Sequence, residues 1–297
     1  MCGINGVYNY LNRSINIRLI VEKINKIQFL RGPDDNGLWQ SNCKKLCLGH
    51  TRLSIIDLTK NAHQPFISKD EKYIITFNGE IYNYKELKNE LIKKNVYFKS
   101  NSDTEVILEA YKFWGIEFVK KLRGMFAFAI WDDLKKKLIL ARDPFGIKPL
   151  YYSNKNGVYY FASQVKSLLS INNIGTEYSN AGITSFYLWG NMQEPFTLYK
   201  DIKSIPIGSC IIIDKSGNEK INKYADIKNP ILNKKPLYFK NENEKQEYLY
   251  DAINETVNVH QISDVPITLL LSSGTDSNVI LSTINDENKK NCSALTL

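Results

Sequence analysis

The sequence predicts an α+β unit over residues 2–215, followed by the beginning of a doubly wound α/β domain over residues 241–297. Short apolar runs bounded by turn residues fill the first span, which is typical of strands packed with a few helices. A polar, proline-containing stretch over residues 216–240 reads as a linker. The order strand, loop, helix, strand then begins, as at the start of a parallel sheet covered by helices.

The spacing of apolar residues predicts the individual elements. Apolar positions three and four apart predict helices, and short β-branched or aromatic runs predict strands. In the first unit the helices fall at 16–30, 84–94, 104–113 and 181–189. The strands there fall at 3–10, 46–57, 72–77, 126–131, 137–142, 150–152, 158–162 and 209–214. The second unit has a helix at 243–262, a strand at 266–271 of the kind buried on both faces, a helix at 276–284 and a strand at 293–297.

Composition and charge exclude several classes of protein. The net charge is +8, from 39 Lys and Arg against 31 Asp and Glu, but the lysines are dispersed. No long basic block interleaved with aromatic residues appears, so nucleic-acid binding is not expected. The longest clean apolar run, Met125–Trp131, is far shorter than the ~20 residues of a membrane helix. The N-terminus lacks the layout of a signal peptide, so we expect a cytoplasmic protein without a membrane partner.

The cysteines predict neither a disulfide framework nor a metal site. They are odd in number and scattered, at Cys2, Cys43, Cys47, Cys210 and Cys292. Cys43 and Cys47 invite a zinc interpretation, but four residues of extended strand span about 13 Å, too far for one tetrahedral ion. We therefore expect reduced thiols and no metal ligands.

Cys2 directly follows the initiator methionine. Removal of Met1 leaves a thiol and a free α-amine on the same Cα. Such an amine titrates near pH 7.7–8.0 and can exchange a proton at cellular pH. One residue then holds both a nucleophile and its general base. The alternative is a chance cysteine at position 2.

Four further segments of the first unit carry polar residues suited to a site, and each has a simpler interpretation. The segment 31–37 (RGPDDNG) is otherwise only a loop, and Arg52 only a surface residue of its strand. Asn78-Gly79 is otherwise a hairpin turn. Asp103 is otherwise only the N-cap of a helix. Taken singly, these segments do not decide between the two interpretations.

Together with Cys2, their order resembles the class II, N-terminal-nucleophile glutamine amidotransferases, and most closely the glutamine-hydrolysing asparagine synthetases. The resemblance covers nearly the whole chain, with MCGI, RGPDDNG, HTRLSIID, FNGEIYNYKEL, SDTEVILEAY, RGMFAFAIWD, RDPFGIKPLYY and FASQVKSLL. Phosphoribosyl-pyrophosphate amidotransferase and glucosamine-phosphate synthase share the nucleophile but differ in the flanking segments. The resemblance implies an Ntn-hydrolase αββα sandwich of antiparallel sheets, followed by the beginning of an adenine nucleotide α-hydrolase-like domain.

The resemblance also implies roles for the residues of the first unit. Cys2 attacks the carboxamide of L-glutamine, and no cofactor takes part in this step. The side-chain amide of Asn78 and the backbone N–H of Gly79 form the oxyanion hole. Arg52 binds the α-carboxylate through its planar fork, and Asp103 holds the α-ammonium. Three further residues complete the pocket: Glu80, Ile55 and Ile56.

A second loop, at the start of the second unit, resembles the pyrophosphate-binding loop of ATP-pyrophosphatases. A strand that runs into a polar turn and then a helix presents backbone N–H groups to a phosphate. The sequence lacks GxxxxGK[ST], so this is not a Walker loop, and an ordinary polar turn is the alternative. Ser273 stands where most asparagine synthetases have glycine. The implied ATP-binding residues are Leu271, Ser272, Ser273, Gly274, Thr275, Asp276 and Ser277.

In such enzymes Mg2+ and ATP adenylate a carboxylate, and ammonia from glutamine then displaces AMP. Aspartate is the implied acceptor, and a sugar uronic acid is the alternative. Because about 60 residues cannot bury strands on both faces, we expect a truncated synthetase domain. A glutaminase-only or glutamine-sensing fragment, a second polypeptide that carries the rest of the synthetase, and a homodimer remain as alternatives.

Overall fold

Two units make up the chain in the computed structural model, which describes residues 1–233, 236–284, 289–290 and 292–296. The first unit comprises Met1–Ser54 and Thr59–Ile227. The second comprises Ile55–Leu58 and the described residues from Lys228 onward. The predicted boundaries 2–215, 216–240 and 241–297 stay a prediction.

The first unit alternates short strands with helices, as the sequence pattern predicts. Its helices are α1 Ile17–Ile27, α2 Tyr84–Ile92, α3 Asp103–Trp114, α4 Val165–Leu169 and α5 Asn180–Trp189. Its strands are β1 Gly3–Tyr8, β2 Asp35–Gln40, β3 Leu46–Arg52, β4 Phe66–Ile67, β5 Tyr73–Ile81, β6 Gly124–Asp132, β7 Lys137–Arg142, β8 Tyr151–Lys155, β9 Val158–Ala162, β10 Lys203–Ser204, β11 Ser209–Ile213 and β12 Glu219–Lys223. Short 3-10 helices cover Phe29–Arg31, Lys60–Ala62 and Gly115–Lys121.

These strands form two antiparallel sheets of six strands each. The first sheet has the order β10-β8-β9-β1-β3-β2 and the second the order β12-β11-β7-β6-β5-β4. Strand β1 lies centrally in the first sheet, with Gly3 opposite Thr51 of β3. Strand β5 lies beside β6 in the second sheet, with Asn78 opposite Ala127. The two sheets therefore each bring a central strand to the site described below.

The sheets face one another across a shared apolar core. Because side chains alternate along a strand, every second residue of each sheet points to this core. Ile4 and Leu48 of the first sheet are buried there together with Ile74 and Ala129 of the second. Burial of such side chains is worth roughly 1.5–3 kcal/mol each, so this interface contributes substantially to the stability of the unit.

Helices cover the outer face of each sheet. The apolar stripe of α1, with Ile17, Val21 and Ile24, packs on the face of the first sheet that carries Val7. On the second sheet, the ring of Phe118 lies 5.8 Å from that of Phe128 on β6. The layers are thus helix, sheet, sheet and helix, which confirms the predicted α+β sandwich.

The second unit contains a strand–helix–strand motif. Its elements are α6 Lys228–Asn233, α7 Glu242–Val259, β13 Ile267–Leu270, α8 Thr275–Thr283 and β14 Cys292–Leu295. Strands β13 and β14 pair in parallel, with Ile267 opposite Cys292. This is the predicted start of a parallel α/β sheet. The predicted end of the last strand, Leu297, falls outside the described residues.

The burial predicted for the strand at 266–271 is wrong for the part of the chain that the structure describes. Leu270 is 66% exposed, and Thr268 is also exposed. Among the described residues of this unit, the sheet contains two strands, β13 and β14. An apolar run predicts burial only if neighbouring elements cover both faces of the strand.

Several local differences separate the structure from the sequence prediction. Strand β2 begins inside the segment 31–37, for which the sequence predicts a loop. The strand predicted over 46–57 ends at Arg52. Strand β12 and helix α6 lie inside the polar span 216–240. Strand β12 forms because a turn with Gly217 at φ +83° folds it back on β11.

No helix among the described residues is long and apolar enough to cross a bilayer.

Candidate active site

Cys2 lies immediately before the central strand β1 and is half-buried. The backbone N–H of Leu53 points to its sulfur at an N–Sγ distance of 3.4 Å. The thiol in turn lies 3.6 Å from the carbonyl oxygen of Leu53. Since Leu53 directly follows β3, the pairing of β1 with β3 brings the cysteine beside Arg52.

Charged groups around Cys2 act on both the thiol and the chain terminus. Burial raises the pKa of the Cys2 thiol, while the Leu53 N–H, the terminal ammonium and Arg52 lower it. Burial lowers the pKa of the terminal amine of Met1, and the cations Arg31 and Lys148 lower it further. The site therefore lowers the pKa of an amine at the position of Met1, one residue before Cys2.

Arg52 ends strand β3 and is buried, with 6% of its surface exposed. Its Nη1 donates to the carbonyl oxygen of Thr59 at 3.2 Å. Its own carbonyl oxygen accepts from the backbone N–H of Asp34 at 2.9 Å. The interpretation of Arg52 as a surface residue is therefore wrong, and its charge acts on the Cys2 thiol.

Asn78 and Gly79 lie inside strand β5 and do not form a hairpin turn. They pair with Ala127 and Phe126 of β6. The turn interpretation is wrong because the strand continues to Ile81. Asn78 is 1% exposed, and its Nδ2 has no hydrogen-bond partner among the described residues. A buried donor without a partner costs about 1–3 kcal/mol, so it marks a position at which a ligand oxygen is stabilising.

The close approach of two strands explains the glycine at position 79. A Cβ at Gly79 falls 2.3 Å from the carbonyl oxygen of Met125 and 2.7 Å from the Cα of Phe126. Both atoms belong to the backbone of β6, which cannot yield without breaking the pairing. Any side chain at this position displaces the strand that carries Asn78.

A buried histidine joins the two sheets beside the site. The Nε2 of His50 on β3 lies 3.0 Å from the carbonyl oxygen of Phe77 on β5. Burial lowers the pKa of His50 to about 3, so the ring is neutral and Nε2 is the donor. Arg52 lies two residues after His50, and Asn78 lies one residue after Phe77. The contact therefore holds the strand segment that ends at Arg52 close to the strand segment that carries Asn78.

Asp103 is the first residue of α3 and is fully buried at the site. The N-cap is Ser102, whose side chain accepts from the N–H of Glu105. The interpretation of Asp103 as an N-cap is therefore wrong. Its carboxylate accepts from the backbone N–H of Ile81 at 3.0 Å. Burial, with a contribution from Glu80, raises the pKa of Asp103 to about 7.

Two groups that the sequence prediction did not assign also belong to this site. The Nε of Arg31 donates to the carbonyl oxygen of Cys2 at 2.9 Å. Lys148 is 6% exposed, and its charge interacts with Glu80 and Cys2. Both residues lie in the quoted motifs RGPDDNG and RDPFGIKPLYY, but a motif does not show which way a side chain points.

The remaining predicted glutamine-binding residues are Glu80, Ile55 and Ile56. Glu80 follows Gly79 on β5, and its charge acts on Asp103. Ile55 and Ile56 belong to the short segment assigned to the second unit. Their part in glutamine binding stays a prediction.

The predicted phosphate loop of the second unit is an exposed turn at the start of α8. The N–H of Leu271 donates to the carbonyl oxygen of Leu295 on β14. The hydroxyl of Ser277 lies 3.1 Å from the carbonyl oxygens of Ser272 and Gly274 and closes the turn. Ser273 does not adopt a positive φ, so its side chain fits without backbone strain.

The predicted phosphate position is the first turn of α8. Helix α8 begins at Thr275, with Asp276 and Ser277 following. The first N–H groups of a helix lack intrahelical partners, and they point with the helix dipole toward an anion. Within the described ranges, no cluster of three or more His, Cys, Asp or Glu residues forms a metal site.

Two facing antiparallel sheets between helices, with a cysteine at the head of a central strand, define an N-terminal-nucleophile hydrolase fold. Solved structures agree with this fold. Glutamine phosphoribosylpyrophosphate amidotransferase of Bacillus subtilis, complexed with ADP and GMP, matches 99% of this chain and 65% of its own. The TM-score is 0.56 and the sequence identity 17%, so this likeness shows the fold alone.

The chain belongs to the glutamine amidotransferase domain family, whose model matches residues 1–225. The asparagine synthase model matches residues 248–297. Glutamine-hydrolyzing asparagine synthetase 1 of Bacillus subtilis is 40% identical over 284 residues, which are 95% of this chain and 43% of the relative. Asparagine synthetase 3 of the same organism is 30% identical over 94% of this chain and 44% of its own length. The chain thus spans less than half the length of these two relatives.

Proposed function

We propose that the first unit hydrolyses L-glutamine to glutamate and ammonia, as the glutaminase part of a glutamine-dependent asparagine synthetase. The observation that carries this proposal is the unpartnered, buried Nδ2 of Asn78. Asn78 lies two residues before Glu80 on β5, and the charges of Glu80 and Cys2 both act on Lys148. A buried amide donor without a partner can stabilise an oxyanion that forms on a substrate bound at Cys2. The family membership of residues 1–225 supports the same activity.

The proposed reaction proceeds through a thioester. After removal of Met1, the α-amine of Cys2 accepts the thiol proton, and sulfur attacks the side-chain carbonyl carbon of glutamine. Asn78 and Gly79 donate hydrogen bonds to the oxyanion that forms. The carbon–nitrogen bond then breaks, and the amine returns its proton to the departing ammonia. Water attacks the γ-glutamyl thioester and releases glutamate, so that Cys2 is regenerated.

The two charged ends of glutamine select the substrate. Arg52 binds the α-carboxylate, because a planar guanidinium matches a carboxylate with two parallel hydrogen bonds. Asp103 binds the α-ammonium as a carboxylate, and Glu80 on β5 adds a second anion to the pocket. The raised pKa of Asp103 refers to the site without ligand. A bound ammonium favours the charged form and lowers that pKa again.

We further propose that the ammonia amidates aspartate to asparagine, with ATP converted to AMP and pyrophosphate. The names of the relatives and the asparagine synthase match over residues 248–297 support this acceptor. The turn at the N-terminus of α8, formed by residues 271–277, holds the phosphates of ATP, which enters as its Mg2+ complex. We place the protein in the cytoplasm. A second polypeptide that carries the rest of the synthetase, or a second copy of this chain, would be revealed by co-purification from the host.

Ammonia release tests the proposed glutaminase activity. The protein, with Met1 removed, is incubated with glutamine, and ammonia and glutamate are measured together. We expect turnover in the parent protein and in Cys43→Ala, whose altered cysteine is exposed, and none in Cys2→Ala. Equal release by Cys2→Ala would refute the proposal. In protein purified from its host, failure to form asparagine with intact ammonia release would overturn only the acceptor assignment.

A further inference from the structure

A tightly held turn follows strand β7 and ends at Lys148. Asp143, at the start of this turn, is fully buried. One of its carboxylate oxygens accepts from the N–H groups of Phe145 and Ile147, each at 3.0 Å. The other accepts from the N–H groups of Lys148 at 3.0 Å and Phe126 at 3.3 Å. Four backbone donors on one carboxylate give the turn a single conformation.

Arg142 holds the same turn from the opposite side. Its Nε donates to the carbonyl oxygen of Lys148 at 3.0 Å and its Nη2 to that of Gly146 at 2.8 Å. Its Nη1 donates to the carbonyl oxygen of Ile205 at 3.0 Å and pairs with Glu194. The backbone of Lys148 is therefore fixed by hydrogen bonds to its N–H and its carbonyl oxygen.

This rigid backbone places a lysine in the interior, where an ammonium is costly. Lys148 is 6% exposed, and burial lowers its pKa, although nearby anions oppose this effect. An apolar side chain of similar length fills such a position without the cost of desolvating a charge. The buried charge therefore points to a function beyond packing.

The sheet register places Lys148 at the same edge of the first sheet as Cys2. Asn5 of β1 and Tyr151 of β8 lie on either side of Ala162 of β9, and both strands run antiparallel to β9. Cys2 lies three residues before Asn5, and Lys148 lies three residues before Tyr151.

The Lys148 ammonium accordingly interacts with Cys2, Glu80, Arg31 and Asp143, and with the terminal amine of Met1. Arg52 and Asp103 act on the same thiol from β3 and α3. Arg31 already donates to the carbonyl oxygen of Cys2, and Arg52 ends the strand beside it. The turn after β7 thus supplies a third cation, Lys148, in addition to Arg31 and Arg52.

We propose that Lys148 is a positioning residue whose ammonium favours the thiolate of Cys2 and the uncharged form of the α-amine. This inference rests on the proposed glutaminase function. A nearby cation stabilises a developing anion and repels a second cation, so both effects promote transfer of the thiol proton to the amine and its onward passage to ammonia. Lys148 itself keeps its proton throughout the reaction.

Alkylation of Cys2 by iodoacetamide tests this inference without any need for glutamine. The rate is measured against pH on protein that lacks Met1, by the mass of the N-terminal peptide. Lys148→Met removes the charge at similar length, and Lys148→Arg keeps it. We expect the midpoint of the pH profile to rise by about 1 unit in Lys148→Met and to stay unchanged in Lys148→Arg. An unchanged midpoint in Lys148→Met overturns the inference.

Kinetics and a charge control separate electrostatics from structure. Lys166→Gln removes an exposed lysine of α4, and its alkylation midpoint is expected to match that of the parent. In Lys148→Met the acid limb of kcat/KM for glutamine should move to higher pH, with kcat reduced and KM nearly unchanged. A rise in KM alone, with the acid limb in place, assigns Lys148 to substrate binding and contradicts the proposal.

A measurement on the parent protein covers the case in which Lys148→Met does not fold. The pKa of Lys148 is followed by 13C NMR of lysine Cε, with its signal assigned from its loss in Lys148→Arg. Blocking Cys2 with iodoacetamide removes the thiolate and should lower this pKa, because linkage is reciprocal. An unchanged pKa overturns the inference.

The two proposals fail in distinguishable ways. A shifted alkylation midpoint in protein that releases no ammonia supports the role of Lys148 and overturns the glutaminase function. Ammonia release with an unshifted midpoint overturns the role of Lys148 alone.

Discussion

The backbone N–H of Ile81 donates a 3.0 Å hydrogen bond to the carboxylate of Asp103. This bond ties the end of β5 to the first turn of α3, so Asn78 and Asp103 are held on one framework. The proposed oxyanion donor and the proposed ammonium ligand therefore move together. Loss of this bond would free the first turn of α3 from the end of β5.

Replacement of Asn78 should lower turnover more than affinity. Asn78→Ala removes the Nδ2 donor that the proposed mechanism aims at the oxyanion, and loss of one such donor typically lowers kcat by about 100- to 1,000-fold. KM for glutamine should change little, because the interaction forms in the transition state. Steady-state ammonia release measures both constants. Asn61→Ala, at an exposed position, serves as the control, and a kcat equal to that control contradicts the oxyanion role.

Replacement of Asp103 should stabilise the protein and weaken glutamine binding. Burial raises the pKa of Asp103 to about 7, so the folded protein holds this proton more tightly than the unfolded chain. The charge on Asp103 therefore costs stability that develops as pH rises from about 4 to 7. Asp103→Asn should raise the free energy of unfolding by about 1–3 kcal/mol at pH 8, and by less at pH 5.

The same variant should raise KM for glutamine at least about tenfold, because the α-ammonium loses its counter-charge. Thermal unfolding at both pH values and steady-state kinetics measure the two effects. Two results would contradict this account of Asp103. One is a difference in unfolding free energy between variant and parent that is the same at both pH values. The other is a KM for glutamine equal to that of the parent.

Addition of a methyl group at Gly79 should destabilise the first unit. The new Cβ lies 2.3 Å from the carbonyl oxygen of Met125, inside the β5–β6 pairing. Overpacking of this kind typically costs about 1–3 kcal/mol. The displaced N–H also leaves the oxyanion position, so kcat should fall together with the melting temperature. A melting temperature equal to that of the parent would contradict this prediction, because it would mean that β5 and β6 accommodate the added methyl group without cost.

Retention of Met1 should abolish turnover. With Met1 in place the nitrogen of Cys2 is an amide, which cannot accept the thiol proton, and the free amine is one residue away. Protein made in the presence of a methionine aminopeptidase inhibitor should lose at least about a hundredfold of its ammonia release. Intact mass reports the processing state. Treatment of the same sample with the aminopeptidase should restore turnover, and full activity with Met1 present excludes the N-terminal-amine mechanism.

Much of the fold of the first unit was predictable from local pattern. Alternation in β1 puts Ile4 and Val7 on opposite faces, and the structure places them in the two separate cores. The three-and-four spacing of Ile20, Ile24 and Ile27 predicted α1 over 16–30, which forms over Ile17–Ile27. These features depend on neighbours within one element, so the sequence alone carries them.

Features that depend on a partner strand were not predictable in this way. Asn78-Gly79 has the composition of a hairpin turn, yet pairing with β6 keeps it extended. The strand at 266–271 has the composition of a buried strand, yet Leu270 is exposed. Strand β12 is polar along its length and forms because β11 offers it hydrogen bonds. In each case tertiary contacts override the local preference.

The sequence by itself determined the family and the residue types from which the nucleophile is proposed, because the order of short motifs around Cys2 is specific. Only the tertiary structure decided which charges meet. It brought Lys148 from the turn after β7 to Cys2 and left Asn78 Nδ2 without a partner. The physical reason is that motifs fix residue types along the chain, whereas electrostatic interactions depend on distances and burial across two facing sheets.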